Sequence, residues 1–246
     1  MEYFVTIEDV LGKIEHLHSL TESKSKNGEC KRFIALNELV RKIRISLNAL
    51  HYIPYEKYEV LCAPANLLYR SMITDLMTSL LISQVDDKQL EDIIYIFDRD
   101  FTNSLKSALK ANIEIRKETY PEDVDAFDEQ ATEYQEKLYD ELKDYLSSAK
   151  GEDWKLKKKT PIYINGERFD GQISQIYKIL RTFEEVSGYA YAYQYYRLFS
   201  QSEHFSIKGR IINHKQTFHE EYYNKVRALV YLGAELLYNK YSGTNI

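Results

Sequence analysis

Apolar residues recur at spacings of three and four along most of the chain, which is the period of one face of an α-helix. From Cys30 to Leu50 the apolar residues keep this spacing and the basic residues fall mostly on the other side. This pattern predicts an amphipathic helix. The next apolar run, from Pro64 to about Val85, surrounds more than half of a helix circumference. It predicts a buried central helix with Pro64 in its first turn.

Capping and turn signals predict the other helices. Thr6 and Asp9 resemble the two ends of a capping box, which opens a helix that continues to about Leu20. The polar residues from Thr21 to Gly28 predict a loop. Further helices are predicted from Lys88 to about Lys117, over about residues 121–147, from Ile173 to about Glu185, from Tyr189 to Ser202, and from Phe218 to about Tyr241.

Residues 150–171 break the helical pattern. A basic run from Lys155 to Lys159 leads into Ile162 to Phe169, where apolar and polar residues alternate around Asn165-Gly166. An Asn-Gly pair between alternating residues is the strongest short signal for a β-hairpin. We therefore predict a small hairpin insert near residues 161–170, with the lysines in a solvated loop.

The fold class follows from these elements and from the scarcity of turn-forming residues. The chain has 9 Gly and 4 Pro among 246 residues, too few for a fold of many short strands. We predict an all-α fold, a helical bundle of about seven helices with one small hairpin, in a single domain of residues 1–246. The 22 tyrosines should lie at the edges of helix packing, where each hydroxyl can find a polar partner.

One predicted helix, over about residues 121–147, is strongly acidic. The stretch from Glu114 to Asp144 holds 12 acidic and 4 basic residues, whereas the whole chain has a net charge of -5. A thin apolar stripe persists through it, so we expect a long exposed helix that projects from the body. Two interpretations stay open, a solvated helix face and a surface that attracts a basic partner protein.

Several classes of protein are not indicated. The sequence shows neither the basic and apolar pattern of a signal peptide nor an apolar run long enough to cross a bilayer. We therefore expect a cytoplasmic protein that does not associate with a membrane. Cys30 and Cys62 lack the CxxC spacing, which favours reduced thiols. Glycine-rich phosphate motifs and the HExxH metal motif are absent, so we expect no cofactor and no metal site.

The candidate chemistry lies where the helix predicted for residues 189–202 ends, at Arg197, Ser200 and His204. If the helix continues to His204, that residue shares a face with Ser200. A histidine can move the proton of a ribose 2′-hydroxyl and an arginine can stabilise charge on phosphate oxygens, as RNA cleavage without metal requires. The same residues also fit a structural corner, in which His204 caps carbonyls and Arg197 stacks on tyrosines.

Two charged residues, Arg70 and Asp75, interrupt the most apolar predicted helix. Charges inside a core need partners, so a structural ion pair or hydrogen-bond hub is the simpler interpretation. The alternative is that one of them points at the His204 cluster and completes a polar pocket in the bundle.

Tyr196, Ser200 and His204 are spaced four apart, with Arg197 after the tyrosine. In this motif the chain resembles a group of largely uncharacterised bacterial and phage helical proteins. Those proteins also tend to carry an apolar helix with an arginine and an acidic residue, to which Leu68 to Asp75 is similar. The group in turn resembles the HEPN superfamily, whose hallmark is an arginine separated from a histidine by four to six residues.

The resemblance implies an all-α and commonly dimeric protein. Many HEPN proteins are metal-independent ribonucleases of toxin–antitoxin and phage-defence systems, in which two copies of the motif face each other across a dimer. By this resemblance, Arg197 and His204 lie near the axis of a homodimer that acts on RNA. Leu198 stands where active relatives carry a polar residue.

Three functional hypotheses stay open. In the first, the protein binds or cleaves RNA, with His204 as general acid and base, Arg197 as phosphate clamp and Ser200 as the group that orients the imidazole. In the second, it is a non-enzymatic helical interaction module whose polar cluster is structural. The third, a metal-dependent hydrolase, requires several histidines and carboxylates to converge in one pocket.

Overall fold

Eight α-helices and one two-stranded hairpin lie in the part of the chain that the structure describes. The structure is a computed structural model, and it describes residues 4–26, 30–53, 58–200 and 220–243. The predicted all-α fold with a small hairpin is confirmed. The α-helices are α1 (Ile7–Lys26), α2 (Lys31–His51), α3 (Tyr58–Gln84), α4 (Asp87–Thr119), α5 (Val124–Leu142), α6 (Ile173–Leu180), α7 (Ala192–Ser200) and α8 (Glu220–Ser242), and the strands are β1 (Ile162–Ile164) and β2 (Glu167–Phe169).

The predicted capping box at the start of α1 is confirmed. The backbone N–H of Thr6 donates to Asp9 Oδ2 at 3.0 Å, and the backbone N–H of Asp9 donates to Thr6 Oγ1 at 3.1 Å. These bonds satisfy two donors that the first helical turn leaves without intrahelical partners. The bonds that the Thr6 N–H and the Thr6 hydroxyl donate to the Asp9 carboxylate hold its pKa below its usual value.

Two predicted boundaries are wrong. The loop expected from Thr21 belongs to α1 as far as Lys26, because Thr21 is fully buried and its hydroxyl donates to the carbonyl of His18. Pro64 does not lie in the first turn of its helix, since α3 begins at Tyr58. A proline removes one backbone hydrogen bond, but a helix of 27 residues with a largely buried second half continues through that loss.

The chain separates into two compact units, and the predicted single domain stays a prediction. The first unit comprises Met1–Asp87, Ile164–Glu167 and Gln172–Ile246. In it, α1 packs against α2 and α8, α2 packs against α3, and α3 also packs against α6, α7 and α8. Helix α3 is therefore the central buried helix that its apolar pattern predicts.

Helix α3 also carries hydroxyl side chains into this interior. Thr78, Ser79 and Ser83 are buried, yet each hydroxyl donates to a backbone carbonyl three or four residues earlier in the same helix, at 2.7–2.8 Å. The Arg32 guanidinium caps the C-terminal end of α3, because it donates to the carbonyls of Ile82 and Val85. A cation at this end also opposes the negative end of the helix dipole.

Helices α3 and α8 lie close together at a glycine, Gly233. A Cβ atom added to Gly233 of α8 would lie 2.6 Å from Leu76 Cδ1 of α3, closer than two carbon atoms can stand. Leu76 is 1% exposed and has little space into which to move. Glycine at residue 233 therefore allows the two helix backbones to come together.

The second unit comprises Lys88–Tyr163 and Arg168–Gly171. Its interior is formed by the side chains of Leu146, Trp154 and Phe169, each at most 3% exposed. The segments before and after Trp154 pair as an isolated antiparallel bridge between Leu146 and Leu156. Side chains of α4 hold this irregular stretch, as Arg99 Nε donates to the Lys157 carbonyl at 2.8 Å and Lys106 donates to the Trp154 carbonyl.

The acidic helix corresponds to α5, which follows a short 3₁₀-helix at Pro121–Asp123. Most of its described side chains are exposed, so its charges face water, as the solvated-face interpretation expects. It is tied to α4 by an ion pair of 2.6 Å between Lys117 and Asp128, and by Arg116 over the ring of Phe127. Exposed ion pairs of this kind contribute little stability.

The hairpin turn is as the Asn165-Gly166 pair predicts. Asn165 has φ 48° and Gly166 has φ 81°, so both central residues lie in the left-handed region. This is the backbone of the two-residue hairpin turns that favour Asn-Gly. The side chain of Asn165 further donates to Thr182 Oγ1 at 3.0 Å.

Within the described ranges, none of the helices combines the length and the apolar character needed to cross a membrane.

Candidate functional site

The candidate site is built on α7, which begins directly after a 3₁₀-helix at Glu184–Tyr191. This 3₁₀-helix contains Ser187 and Gly188 and joins α7 to the segment after α6 without a long loop. Helix α7 buries Ala192, Tyr195 and Phe199. It thereby turns Tyr193, Tyr196 and Arg197 toward the surface, since residues three and four apart share a helix face.

Three tyrosines of α6 and α7 stack with nearly parallel rings. The ring centroids of Tyr177 and Tyr193 are 5.0 Å apart with 22° between the planes. Those of Tyr193 and Tyr196 are 5.7 Å apart with 13° between the planes. Such offset stacks of aromatic rings contribute about 0.5–1.5 kcal/mol beyond the burial of their area.

An arginine lies at each end of this stack. The guanidinium of Arg181 is 5.7 Å from the ring centroid of Tyr177, and that of Arg70 is 4.9 Å from the centroid of Tyr196. Each guanidinium also donates to the hydroxyl of the same tyrosine, at 3.3 Å and 3.1 Å respectively. The stack with both arginines is called the tyrosine row below; its members are Arg181, Tyr177, Tyr193, Tyr196 and Arg70.

Arg197 is exposed in the last turn of α7. Among residues 4–26, 30–53, 58–200 and 220–243, no hydrogen bond, ion pair or ring contact of its guanidinium is formed. The position near a helix C-terminus favours a cation, which by itself accounts for an arginine there. An exposed guanidinium without an internal partner is nevertheless able to take a phosphate in its fork of donors.

Ser200 makes a hydrogen bond within its own helix. Its hydroxyl donates to the Tyr196 carbonyl at 2.6 Å, so its single proton is engaged. The oxygen keeps lone pairs and can still accept a bond from an imidazole N–H. His204 itself lies outside the described residues, so its predicted proximity to Arg197 and Ser200 stays a prediction.

Arg70 and Asp75 contact different partners. Arg70 stacks on Tyr196, whereas the Asp75 carboxylate accepts a bond from Ser71 at 3.5 Å. Both are described residues of α3, and no ion pair joins them. Arg70 therefore connects the central helix to α7 through Tyr196, and the predicted polar pocket with His204 stays a prediction.

Asp75 is 7% exposed and lies in the interior of the first unit. Burial raises the pKa of its carboxyl to about 6, against the opposing effects of the Lys42 charge and the Ser71 hydroxyl. A carboxyl that is buried this deeply prefers to keep its proton. Asp75 is therefore a buried polar residue of the core, and among the described residues it has no contact with the tyrosine row.

A second aromatic group, called the buried aromatic cluster below, lies in the interior. It consists of Tyr69, Tyr223 and Phe199, with the rings of Tyr69 and Tyr223 stacked at 4.5 Å and 18°. Phe199 lies 5.8 Å from Tyr223 and 5.9 Å from Tyr69. The Tyr223 hydroxyl donates to Asn66 Oδ1 at 2.8 Å, and Arg227, 4% exposed, donates to the Tyr69 hydroxyl at 3.3 Å.

The basic run from Lys155 to Lys159 belongs to the second unit and is partly engaged there. Lys159 pairs with Asp100 at 2.5 Å, and Lys157 Nζ donates to the Asp144 carbonyl at 2.7 Å. These contacts support the interpretation of a loop held by its own unit.

Sequence reasoning missed Tyr177, Tyr193 and Arg181, which complete the tyrosine row. A signal was present, since Tyr177 and Arg181 are four residues apart, as are Tyr193 and Arg197. Both pairs place an aromatic ring and a guanidinium on one helix face. The spacing alone does not predict that these faces of α6 and α7 pack against each other.

The described residues hold no group of three or more histidine, cysteine or carboxylate side chains placed to bind a metal ion. No family model, no curated protein and no solved structure matches this chain.

Proposed function

We propose that the protein binds single-stranded RNA at the exposed end of α7 and cleaves it without a metal ion. The observation that carries the proposal is the state of Arg197, which is exposed and has no partner in the described part of the chain. It shares a helix face with Tyr193, whose ring stacks on that of Tyr196. An open guanidinium beside aromatic rings suits a strand that offers phosphates and flat bases.

In the proposed reaction, His204 removes the proton of a ribose 2′-hydroxyl. The 2′-oxygen then attacks the adjacent phosphorus, the bond from phosphorus to the 5′-oxygen breaks, and that leaving oxygen takes the proton back from the His204 imidazolium. The products are a 2′,3′-cyclic phosphate and a 5′-hydroxyl. Arg197 stabilises the charge that develops on the phosphorus oxygens, and the Ser200 oxygen accepts a bond from the imidazole.

The homodimer, the role in phage defence and the HEPN-like ancestry belong to this proposal. They are supported by the resemblance of Tyr196, Arg197, Ser200 and His204 to the motif of that superfamily. Sedimentation of the purified protein tests the dimer directly. A monomer at micromolar concentration would contradict a site shared between two copies.

Cleavage of a fluorescent single-stranded RNA by the purified protein tests the reaction. We expect cleavage to fall about 10²–10⁴-fold in His204→Ala and about 10²–10³-fold in Arg197→Ala. Arg41→Ala is the matched control, because Arg41 is an exposed arginine on α2 that pairs with Glu38 at 2.7 Å. The cleavage should persist in EDTA, since a metal-dependent hydrolase would lose it.

A non-enzymatic interaction module is the second candidate function. The observation that favours it is that the Ser200 hydroxyl and the Arg70 guanidinium are both bonded to Tyr196, as in a structural corner. It predicts that His204→Ala lowers the melting temperature and that no variant differs in RNA cleavage. Equal cleavage by wild type and His204→Ala would overturn the ribonuclease proposal in favour of this one.

A further inference from the structure

We propose that the tyrosine row is a preformed stacking surface for single-stranded RNA, and that a nucleobase extends the row at its Arg181 end. This inference rests on the proposed function and adds to it the part of the substrate that is recognised. The base would stack on the guanidinium of Arg181, whose other face covers Tyr177. Guanidinium planes and aromatic rings are the surfaces on which splayed RNA bases stack.

The exposure of the row supports a role outside the core. Tyr177, Tyr193 and Tyr196 are each partly exposed, and Arg181 is exposed. Rings that served only to fill the interior would be covered, as those of Tyr69 and Tyr223 are. The row instead holds its rings parallel at the surface, so little side-chain entropy remains to be lost when a base stacks on it.

The charge around the row fits a polyanion. Helices α6 and α7, with the Arg181 that follows α6, carry Lys178, Arg181 and Arg197 as exposed cations and no acidic residue. The chain as a whole has a net charge of -5. This local positive charge in an acidic protein would confine a nucleic acid to this face.

Two acidic residues lie in the segment that joins α6 to α7. Glu184 and Glu185 lie on the 3₁₀-helix between α6 and α7 and are exposed. Glu185 pairs with Lys240 at 3.1 Å and accepts a bond from Gln84, also at 3.1 Å. Its charge is therefore balanced within the first unit, and Glu184 is the one other acidic residue in the sequence from Ile173 to Ser200.

The arrangement favours RNA over an acidic peptide. An acidic peptide would need the cations but would gain nothing from rings held parallel, whereas a base needs both the flat surface and a cation for its phosphate. Arg197, four residues after Tyr193, is placed to take that phosphate.

Fluorescence anisotropy with a 2′-O-methyl RNA of mixed sequence tests the inference. This RNA lacks the 2′-hydroxyl nucleophile, so binding is measured apart from cleavage. We expect Tyr193→Leu and Arg181→Ala each to weaken binding about tenfold. Tyr193→Phe, which keeps the ring, should bind like wild type.

Tyr163→Leu is the matched control, because Tyr163 is a tyrosine of the hairpin with 65% exposure. Melting temperatures of all variants verify that each is folded. Unchanged binding by both Tyr193→Leu and Arg181→Ala would overturn the inference, even if His204→Ala abolished cleavage of ordinary RNA. Absence of RNA binding by wild type would overturn it as well, and equal competition by polyglutamate would assign the face to an acidic protein.

Discussion

Helix α7 contributes to two aromatic groups that differ in surroundings. Phe199 belongs to the buried aromatic cluster, where Tyr69 and Tyr223 are fully covered and their hydroxyl groups contact side chains of the interior. Tyr193 and Tyr196 belong to the tyrosine row, where rings of the same kind remain partly exposed between two guanidinium groups. The two groups use the same chemistry at different depths along one short helix.

The difference shows what tyrosine can do at each depth. A buried ring gains the free energy of burial but requires a partner for its hydroxyl, which here is an amide or a guanidinium. An exposed ring gains less from burial and keeps an edge and a hydroxyl that a ligand can reach. Substitutions in the buried aromatic cluster should therefore change stability, and those in the tyrosine row should change binding.

The largest effect is expected for Phe199→Ala. Phe199 is 2% exposed and contacts both other rings of the buried aromatic cluster, so its removal leaves a cavity. We expect the free energy of unfolding to fall by about 3–5 kcal/mol, measured by urea denaturation. Phe199→Leu, which fills more of the space, should cost less, and a cost below about 1 kcal/mol for Phe199→Ala would contradict the assignment of this ring to the core.

A pH-dependent effect on stability is expected for Asp75→Asn, which removes an ionisable carboxyl from the interior of the first unit. The pKa of the Asp75 carboxyl is about 6 in the folded protein and 3.8 as the ordinary value, so the folded state favours the protonated form. The preference of the folded state for the protonated Asp75 carboxyl stabilises the fold fully below about pH 4. This stabilisation is lost as the pH rises through about 6. The full difference corresponds to about 3 kcal/mol.

The asparagine variant removes this titration. We expect Asp75→Asn to be more stable than wild type at pH 8, by up to about 3 kcal/mol, and the gain to shrink toward pH 4. Asp92→Asn, at an exposed position of α4, is the control. A gain that is the same at both pH values would show that Asp75 does not titrate between them.

The smallest effect on stability is expected for Tyr193→Ala in the tyrosine row. Two stacked contacts are lost at a partly exposed position, so the free energy of unfolding should fall by about 1 kcal/mol. Thermal and urea denaturation measure the change, with Tyr193→Phe as the control that keeps the ring. A loss as large as that of Phe199→Ala would place Tyr193 in the core and end the contrast between the two groups.

The helices were predictable where local signals and the apolar period agree. The capping box of Thr6 and Asp9, the hairpin at Asn165-Gly166 and the buried character of α3 each depend on nearby residues alone. The polar neighbours of Thr21 predict a loop, whereas its burial depends on α2, as its hydroxyl bond to Asn37 shows. The residues next to Thr21 in the sequence do not indicate that it contacts α2.

The candidate site was predictable only in part, for the same reason. Arg197 and Ser200 were identified from their spacing, and they lie at the end of α7 as expected. The tyrosine row depends on the meeting of α3, α6 and α7, which brings together residues as far apart in sequence as Arg70 and Tyr196. The close approach of Gly233 to Leu76 is equally a property of two helices and not of either alone.

The hydroxyl groups along α3 have a consequence for how this protein can change over time. Thr78, Ser79 and Ser83 donate their hydroxyl protons to carbonyls of their own helix. They therefore need no hydrogen-bond acceptor from the helices around them. A neighbouring side chain can be exchanged for an apolar one of similar volume without leaving these groups unsatisfied. The helices around α3 can therefore change in sequence near these three residues, whereas the bond from Tyr223 to Asn66 constrains the residue that packs there.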